Sequence, residues 1–442
     1  MIALQKFGRI AIQQGGLTSL WLGSRYFVMV ADADVAEVVL RTCLEKADVM
    51  DIAHELFGNG SIFAPLQIWR LRRKVIAPTF SMKNLNQFVE VFSHQSHILV
   101  EQLQGAVGKG TFSVWKYLTT YTMDSVCETA LGVKVEAQWR PEQPFLEAFE
   151  QHCRMSSARV LLPPFAQKGY KYFPIYNLYL KNIHCIWASL LPEHRSNDMK
   201  DKPSQKTFLE LFIESSGGKS GFTNLELREE TLVLLLAGTD TSAVGSAFIC
   251  LMLARHPDVQ DNVYKEIKEV LGDSAGPITA ADLPKLKYLE AVVKETLRLY
   301  PPVPVIVRKV ENDFQLPSGL TMVKDTSLMI NIWAIHRNPV YWGEDAEQFK
   351  PDRFIGSAQQ HSAAFIPFSH GPRSCLGYQY AMMSMKTAMA NLIRHYRFHP
   401  ATPVRDKNAP LRVKFDIMMK HVENFELQLE SRSSQLFLLL ST

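Results

Sequence analysis

The stretch Phe368-Ser369-His370-Gly371-Pro372-Arg373-Ser374-Cys375-Leu376-Gly377 holds the most reactive chemistry in this chain. It stands directly before a run of helical periodicity covering about residues 379 to 396. A cysteine at a helix N-terminus meets unpaired N–H groups and the positive end of the helix dipole. Both lower the thiol pKa and favour the thiolate, the form that ligates metals. Gly371 and Gly377 let the backbone turn tightly beneath a flat group. Arg373 can reach an anionic carboxylate on such a group, and Phe368 can shield the sulfur from water. The competing reading is a buried structural cysteine. The chain has six cysteines, at 43, 127, 153, 185, 250 and 375, with no C-x-x-C pair. That excludes a zinc ribbon, gives no disulfide framework and fits a reducing compartment.

A second constellation, Ala237-Gly238-Thr239-Asp240-Thr241-Ser242, lies in the middle of an apolar run from about residue 225 to 256. Glycine costs a helix stability, and a lone carboxylate in an apolar helix costs more. Such costs point to a site. Ala237, Gly238 and Thr241 share one face by i,i+3 and i,i+4 spacing. Small residues there leave room for a ligand, the Thr241 hydroxyl can hold a water, and Asp240 can relay protons from solvent. The bland alternative is a threonine bonding back to its own helix. Glu295 and Arg298 pair on one helix face by their spacing, and Arg353 follows in Pro351-Asp352-Arg353-Phe354. Trp69 and Arg73 share another face within Trp69-Arg70-Leu71-Arg72-Arg73-Lys74, the densest basic cluster.

These residues need elements to position them, and the pattern supplies mostly helices. Residues 17 to 35 alternate around Gly23 and predict a hairpin. Helical periodicity then runs from about 36 to 133, broken at Gly58-Asn59-Gly60. Residues 141 to 217 are mixed, with breaks at Pro163, Pro164 and Pro174. Thr223 with Glu226 forms a capping box for the long apolar helix, and Pro257 closes it. Its length would also span a bilayer. Helices are predicted over about 258–271 and 283–299, the latter stopped by Pro301-Pro302. Short strands are predicted over 303–329, near 411–419 and over 425–429. Net charge is +4 with 47% hydrophobic residues, an ordinary globular balance without a nucleic-acid signature. The opening Met1–Lys6 shows no signal-peptide core or anchor, and the apolar run within 434–442 is too short to span a membrane.

With its five fixed residues, F-x-x-G-x-R-x-C-x-G resembles the signature of the cytochrome P-450 family. The E-x-x-R pair, the Ala237–Thr241 segment and the W-x-x-x-R pair follow in that family's arrangement. The likeness covers about residues 17–432. The wording Leu297-Arg298-Leu299-Tyr300-Pro301-Pro302 is most similar to insect members of the animal fatty-acid-hydroxylase group.

The resemblance implies one mainly helical domain over 1–442 with a small β region, binding haem b with Cys375 as the axial thiolate. It implies Trp69, Arg73, Arg308 and Arg373 at the haem propionates, and Phe368, Gly371 and Gly377 around the ligand. Ala237 and Gly238 flank the haem, and Asp240 and Thr241 serve oxygen chemistry. Glu295, Arg298 and Arg353 form a structural triad, with Asp352 where glutamate is commoner. The implied reaction is monooxygenation of a small apolar substrate. Electrons come from NADPH through a flavoprotein reductase, with a cytochrome b-type donor as a second source. The remaining basic residues Arg70, Arg72 and Lys74 would face an acidic redox partner.

A monomer on the cytosolic face of the endoplasmic reticulum membrane is implied, and no nucleic-acid partner. Many of the group carry a glutamate, esterified to the haem, where this chain has Ala237; here the haem is expected to be held without that bond. Microsomal relatives begin with an anchor and a proline-rich hinge, whereas the first element recognised here is the hairpin. That predicts an anchorless form. The rivals are a reductase-independent isomerase or dehydratase, an inactive haem-binding protein, and a membrane protein spanning at the long helix.

Overall fold

The computed structural model describes residues 1–160 except 24 and 143, scattered positions between 162 and 181, and residues 206–217, 221–272, 276–356 and 361–432. Cys185, Pro163, Pro164 and the apolar run within 434–442 lie outside these residues.

The chain opens with a helix the sequence reading did not anticipate, α1 (Ile2–Gln13). It lies against the short helix Ile332–Ile335, and the fit depends on Gly8. A Cβ there would stand 2.8 Å from the Ala334 methyl. The expected hairpin follows as β1 (Leu17–Leu22) and β2 (Arg25–Val30). Asp32 then caps α2 (Ala33–Thr42) by accepting from the Val35 N–H. Helices α3 (Leu66–Ile76), α4 (Met82–Gln104), α5 (Trp115–Leu131) and α6 (Pro144–Val160) make up the next stretch, with β3 (Phe112–Ser113) before α5.

The long helix is α7, Asn224–Arg255, 32 residues. Its capping box forms as expected, with Thr223 N–H donating to Glu226 at 2.9 Å and Glu226 N–H returning to the Thr223 hydroxyl at 3.3 Å. It is the one helix among the described residues long and apolar enough to cross a membrane, yet most of that window is buried inside the protein. Hydrophobic in every direction, it runs through the core as a fully enclosed helix does. It packs on α5, on α9 (Lys287–Leu299) and on α10 (Tyr378–His395). Gly245 allows that crossing, since a Cβ would lie 2.8 Å from the Met385 sulfur. Between α7 and α9, α8 (Pro257–Leu271) starts on its proline and ends before Gly272.

The strands stay small. β4 (Ile306–Lys309), the pair β5 (Phe314–Gln315) and β6 (Thr321–Met322), and β7 (Ser327–Ile330) follow α9. One sheet runs in the order β1-β2-β7-β4 and so joins the first thirty residues to those after Pro302. After α10 come β8 (Tyr396–Pro400), the hairpin β9 (Val413–Asp416) and β10 (Met418–His421), and β11 (Glu426–Ser431). β8 was not foreseen from the pattern. It continues directly from α10 and pairs with β11. The class is mainly helical with a small β region.

Candidate functional site

The cysteine loop is built by backbone hydrogen bonds. Cys375 N–H donates to the Phe368 carbonyl at 2.8 Å, Ser374 to Gly371 at 3.0 Å, and Ser369 to Ile366 at 2.9 Å. Two positions take left-handed backbone, Gly371 at φ 72° and Ser369 at φ 64°. The latter is a conformation a non-glycine residue adopts at a cost. Gly371 is also pressed against the end of α2, where a Cβ would stand 2.6 Å from the Leu40 carbonyl oxygen. No other residue fits there.

Cys375 sits two residues before the Gly377 N-cap of α10. It is accessible, although protein surrounds it closely enough for burial to govern its charge. Burial raises the Cys375 thiol, while the Gly377 N–H and the Arg73 guanidinium pull it back only in part. A bound cation is what would invert that balance.

The loop is clamped from α3. Arg73 Nη1 donates to the Ser374 carbonyl at 2.6 Å. The buried Trp69 ring lies beneath the Arg373 guanidinium, 4.7 Å from centroid to carbon, a cation–π stack. Arg373 also donates to the Ala64 carbonyl at 2.5 Å, and its Nε and Nη1 have no partner among the described residues. Arg308, on β4, is 1% exposed. It donates to its neighbour Val307 at 2.9 Å, and its Nε is likewise unpartnered. Burial, then mutual repulsion, pushes Arg308 down to about 10. Arg373 falls to about 10, chiefly by burial. Lys46, which pattern reading missed for want of a motif, belongs to the same group. Burial and then Arg308 and Arg373 hold it well below the ordinary lysine range. The nearby carboxylates are already engaged, Glu45 with the Leu66 N–H and Glu311 with the N–H groups of residues 44 and 45.

In α7 the residues Leu234, Ala237, Gly238 and Thr241 are only half-buried, while most of their neighbours on the helix are buried. Ala237, Gly238 and Thr241, which the spacing places on one face, are thus joined there by Leu234. Gly238 also lets α7 approach α5, since a Cβ would lie 2.9 Å from Val126. The Thr241 hydroxyl donates to the Ala237 carbonyl at 2.6 Å. Its hydrogen is thus committed to the helix, and Thr241 offers the face an acceptor. Asp240 is not solvent-facing. It is 3% exposed and paired with Lys420 at 3.3 Å.

Glu295, Arg298 and Arg353 do come together. Arg298 makes a bidentate pair with Glu295 at 2.7 and 2.8 Å, both fully buried. It also donates to the carbonyls of His336, Ala346 and Gln348. Arg353 Nε stands 3.6 Å from Glu295 and its Nη2 2.6 Å from Asp345. Asp352, where the motif departs, is exposed. A further link was not legible. His336 is a neutral bridge, with Nδ1 donating to the Arg298 carbonyl at 3.0 Å and Nε2 accepting from Ile366 N–H at 2.9 Å. Ile366 anchors the turn at Ser369, so the triad reaches the cysteine loop through this ring.

Burial pushes the His336 imidazole from 6.5 down to about 3. Its unfolded form therefore takes up a proton near pH 6.5 while the folded form does not until about pH 3. Stability is complete above that upper value and is lost as pH falls toward the lower one. Between pH 7 and 5 the protein should lose about 2 kcal/mol through this group. Urea midpoints at both pH values, compared with His336→Gln, check it; equal pH losses in the two proteins would refute it.

A model of the cytochrome P450 family matches residues 3–427. The chain belongs to the cytochrome P450 family. Among curated relatives, cytochrome P450 4c21 of Blattella germanica is 31% identical, with the match covering 94% of this chain and 86% of the relative. Cytochrome P450 4d8 of Drosophila melanogaster is 31% identical over 89% and 91%. Human cytochrome P450 4V2 is 30% identical over 86% and 76%. The insect likeness read from the sequence holds. As a cytochrome P450 this protein is a haem-thiolate monooxygenase, acting on hydrophobic substrates with electrons from a redox-partner reductase.

The residues present fit the haem. Buried guanidinium nitrogens without partners at Arg308 and Arg373, with Lys46 beside them, are a cationic pocket awaiting carboxylates. Arg308→Leu should therefore speed haem loss about tenfold, the worth of one charged hydrogen bond of about 1.5 kcal/mol. Haem transfer to excess apomyoglobin measures it, and an unchanged rate would remove Arg308 from the pocket.

Proposed function

We propose that Cys375 is the thiolate ligand of the haem iron and that Ala237, Gly238 and Thr241 form the face where oxygen and substrate meet. The observation that carries this reading is the cluster of buried, unpaired cationic groups at Arg308 and Arg373, with Arg373 in the cysteine loop itself. When bound, the haem supplies activation of dioxygen, one atom entering an apolar C–H or C=C bond and the other leaving as water.

The chain's own residues do the rest. Phe368 packs edge-on to Tyr378 at 4.7 Å and screens the sulfur side from water. Gly371 and Gly377 keep the backbone close under the ligand. Trp69, Arg73, Arg308 and Arg373 hold the propionate edge. Thr241 accepts a hydrogen bond from a water at this face, and Asp240 holds the proton to be delivered. Ala237 has no carboxylate, so the haem is held without an ester bond. Glu295, Arg298 and Arg353 position the loop and take no part in the chemistry.

The substrate class we infer is lipid, hormone or apolar xenobiotic, received by an apolar pocket that includes Val303 and Val305. The protein acts as a monomer at the endoplasmic reticulum membrane, on the cytosolic side. An apolar surface near the N-terminus, carrying Ile2, Trp21 and Tyr26, supports that placement. Most of the segment between Pro163 and Phe222, read from the sequence as a second contact, lies outside the described residues. Under carbon monoxide the reduced protein should show the red-shifted Soret band of thiolate-ligated haem. A blue-shifted band would overturn the assignment of Cys375.

The reductase is proposed to dock at α3. Arg70, Leu71 and Lys74 are exposed on one face, together with Gln67. Arg72 does not belong to this face, contrary to the sequence reading. It is buried between Glu229 at 2.8 Å and Glu230 at 3.0 Å, where it ties α3 to α7. Arg70→Glu with Lys74→Glu should raise the KM for reductase about tenfold, with a weakened salt dependence. The assay follows NADPH oxidation at varied reductase, and an unchanged KM places docking elsewhere.

A further inference from the structure

Asp240 is buried, yet it is the residue assigned to hold a proton, so something must restore that proton after each cycle. The sequence suggested direct supply from solvent, and its burial excludes that. What touches it comes from the far end of the chain. Lys420 Nζ, on β10, lies 3.3 Å from Asp240 Oδ1. The other oxygen, Oδ2, is buried and has no partner among the described residues.

Lys420 is itself framed for this task. Its ammonium lies 4.4 Å over the Trp115 ring, at the start of α5. The Trp115 indole N–H donates to Glu150 on α6 at 2.6 Å. In the β9–β10 hairpin Lys414 pairs with Asp416 at 3.5 Å. Met419 N–H donates to the Pro302 carbonyl at 2.8 Å and fixes the strand that carries Lys420. The charged groups facing Asp240 are Lys420, Glu150 and Asp416, and Cys153 lies within their field. Glu150 and Asp416 are half-buried, so the charged groups run from the middle of α7 to the surface between α6 and the hairpin. Burial raises the Asp240 carboxyl and Lys420 opposes the rise.

We propose that Lys420 is a positioning residue of the monooxygenase reaction, which holds Asp240 and reloads it with protons taken up beside Glu150 and Asp416. In the reloading step an N–H bond of the Lys420 ammonium breaks and an O–H bond forms on Asp240, leaving an amine and a neutral carboxyl. The amine regains its proton from solvent hydronium, passed by way of water beside these two half-buried carboxylates. Oδ2 is buried and has no partner among the described residues, which leaves the carboxyl free to turn and pass that proton on. The inference rests on the reading of Asp240 as proton holder.

The full-length haem protein with its reductase and NADPH tests it, using Lys420→Met, Lys420→Arg and Asp240→Asn. NADPH consumption is followed in H2O and D2O across pH, and thermal midpoints are recorded without turnover. Lys420→Met should slow consumption at least about tenfold, enlarge the D2O effect and displace the pH profile. Lys420→Arg should keep the ion pair yet stay slow, because a guanidinium does not give up its proton; a normal rate in it would overturn the relay. In the thermal series, adding Asp240→Asn to Lys420→Met should raise the midpoint, because a buried unpaired carboxylate is removed. If Lys420→Met keeps the normal rate and D2O effect while Asp240→Asn is slow, Lys420 is a structural tie and the inference fails. If Asp240→Asn itself is normal in both, the reading of Asp240 fails with it. Should Lys420→Met not fold, the D2O effect and pH profile of Lys420→Arg decide, since a relay altered at that atom must move them.

Discussion

Cys375→Ala will fold and will lose the red-shifted carbon monoxide band completely. The substitution removes one sulfur from an accessible position, so it opens no buried cavity. The loop does not depend on the side chain, because its turns are closed by the backbone bonds of Phe368, Gly371 and Ile366. The apoprotein's urea midpoint should stay within the scatter expected of a surface change, about 0.5 kcal/mol. Turnover with NADPH and reductase should fall to background, because no other cysteine among the described residues is placed to substitute. Cys43, Cys127 and Cys250 are buried, and burial raises their thiols, the first two to about 12. Residual turnover, or a red-shifted band in the variant, would mean that another residue ligates the iron.

The second large effect belongs to Glu295→Ala. It leaves the fully buried Arg298 guanidinium without its carboxylate and frees the Lys350 N–H, which donates to Glu295 at 2.7 Å. Breaking a buried pair from one side costs about 3–5 kcal/mol, a large share of the stability of an ordinary protein. Haem content should collapse with it, since Arg298 carries His336 and His336 carries Ile366. Removing both charges, as Glu295→Leu with Arg298→Met, should recover stability relative to the single variant. Because the double variant keeps the His336 link only weakly, haem content should recover less. Asp352→Asn, exposed, serves as control. Urea unfolding of the apoprotein and the haem-to-protein ratio measure the two effects separately. A single variant with normal haem content would show that the triad does not position the loop.

What was readable in the sequence was local. The capping box at Thr223, the E-x-x-R pair and the cysteine loop each sit within ten residues, and spacing fixes which side chains share a face. The long helix was bounded to within a residue because its caps are chemical signals. What escaped depends on residues far apart in the chain. Lys46 beside Arg308 and Arg373, His336 bridging to Ile366, and Lys420 on Asp240 have no spacing to read, since only the folded backbone makes them neighbours. Arg72 misled for a related reason. A basic run suggests solvent, but the acids that bury it are more than 150 residues away.

The sheet β1-β2-β7-β4 and the seat of Gly371 on Leu40 also constrain how the molecule comes into being. β2 pairs with β7 across some three hundred residues, and the cysteine loop is gauged by α2, made some three hundred residues earlier. Most of the polypeptide has therefore left the ribosome before the first strands find their partner. Pairings of such long range are slow to form. The early hairpin must wait with an open edge, a hazard for self-association. Cofactor capture then waits in biogenesis on the meeting of segments some three hundred residues apart.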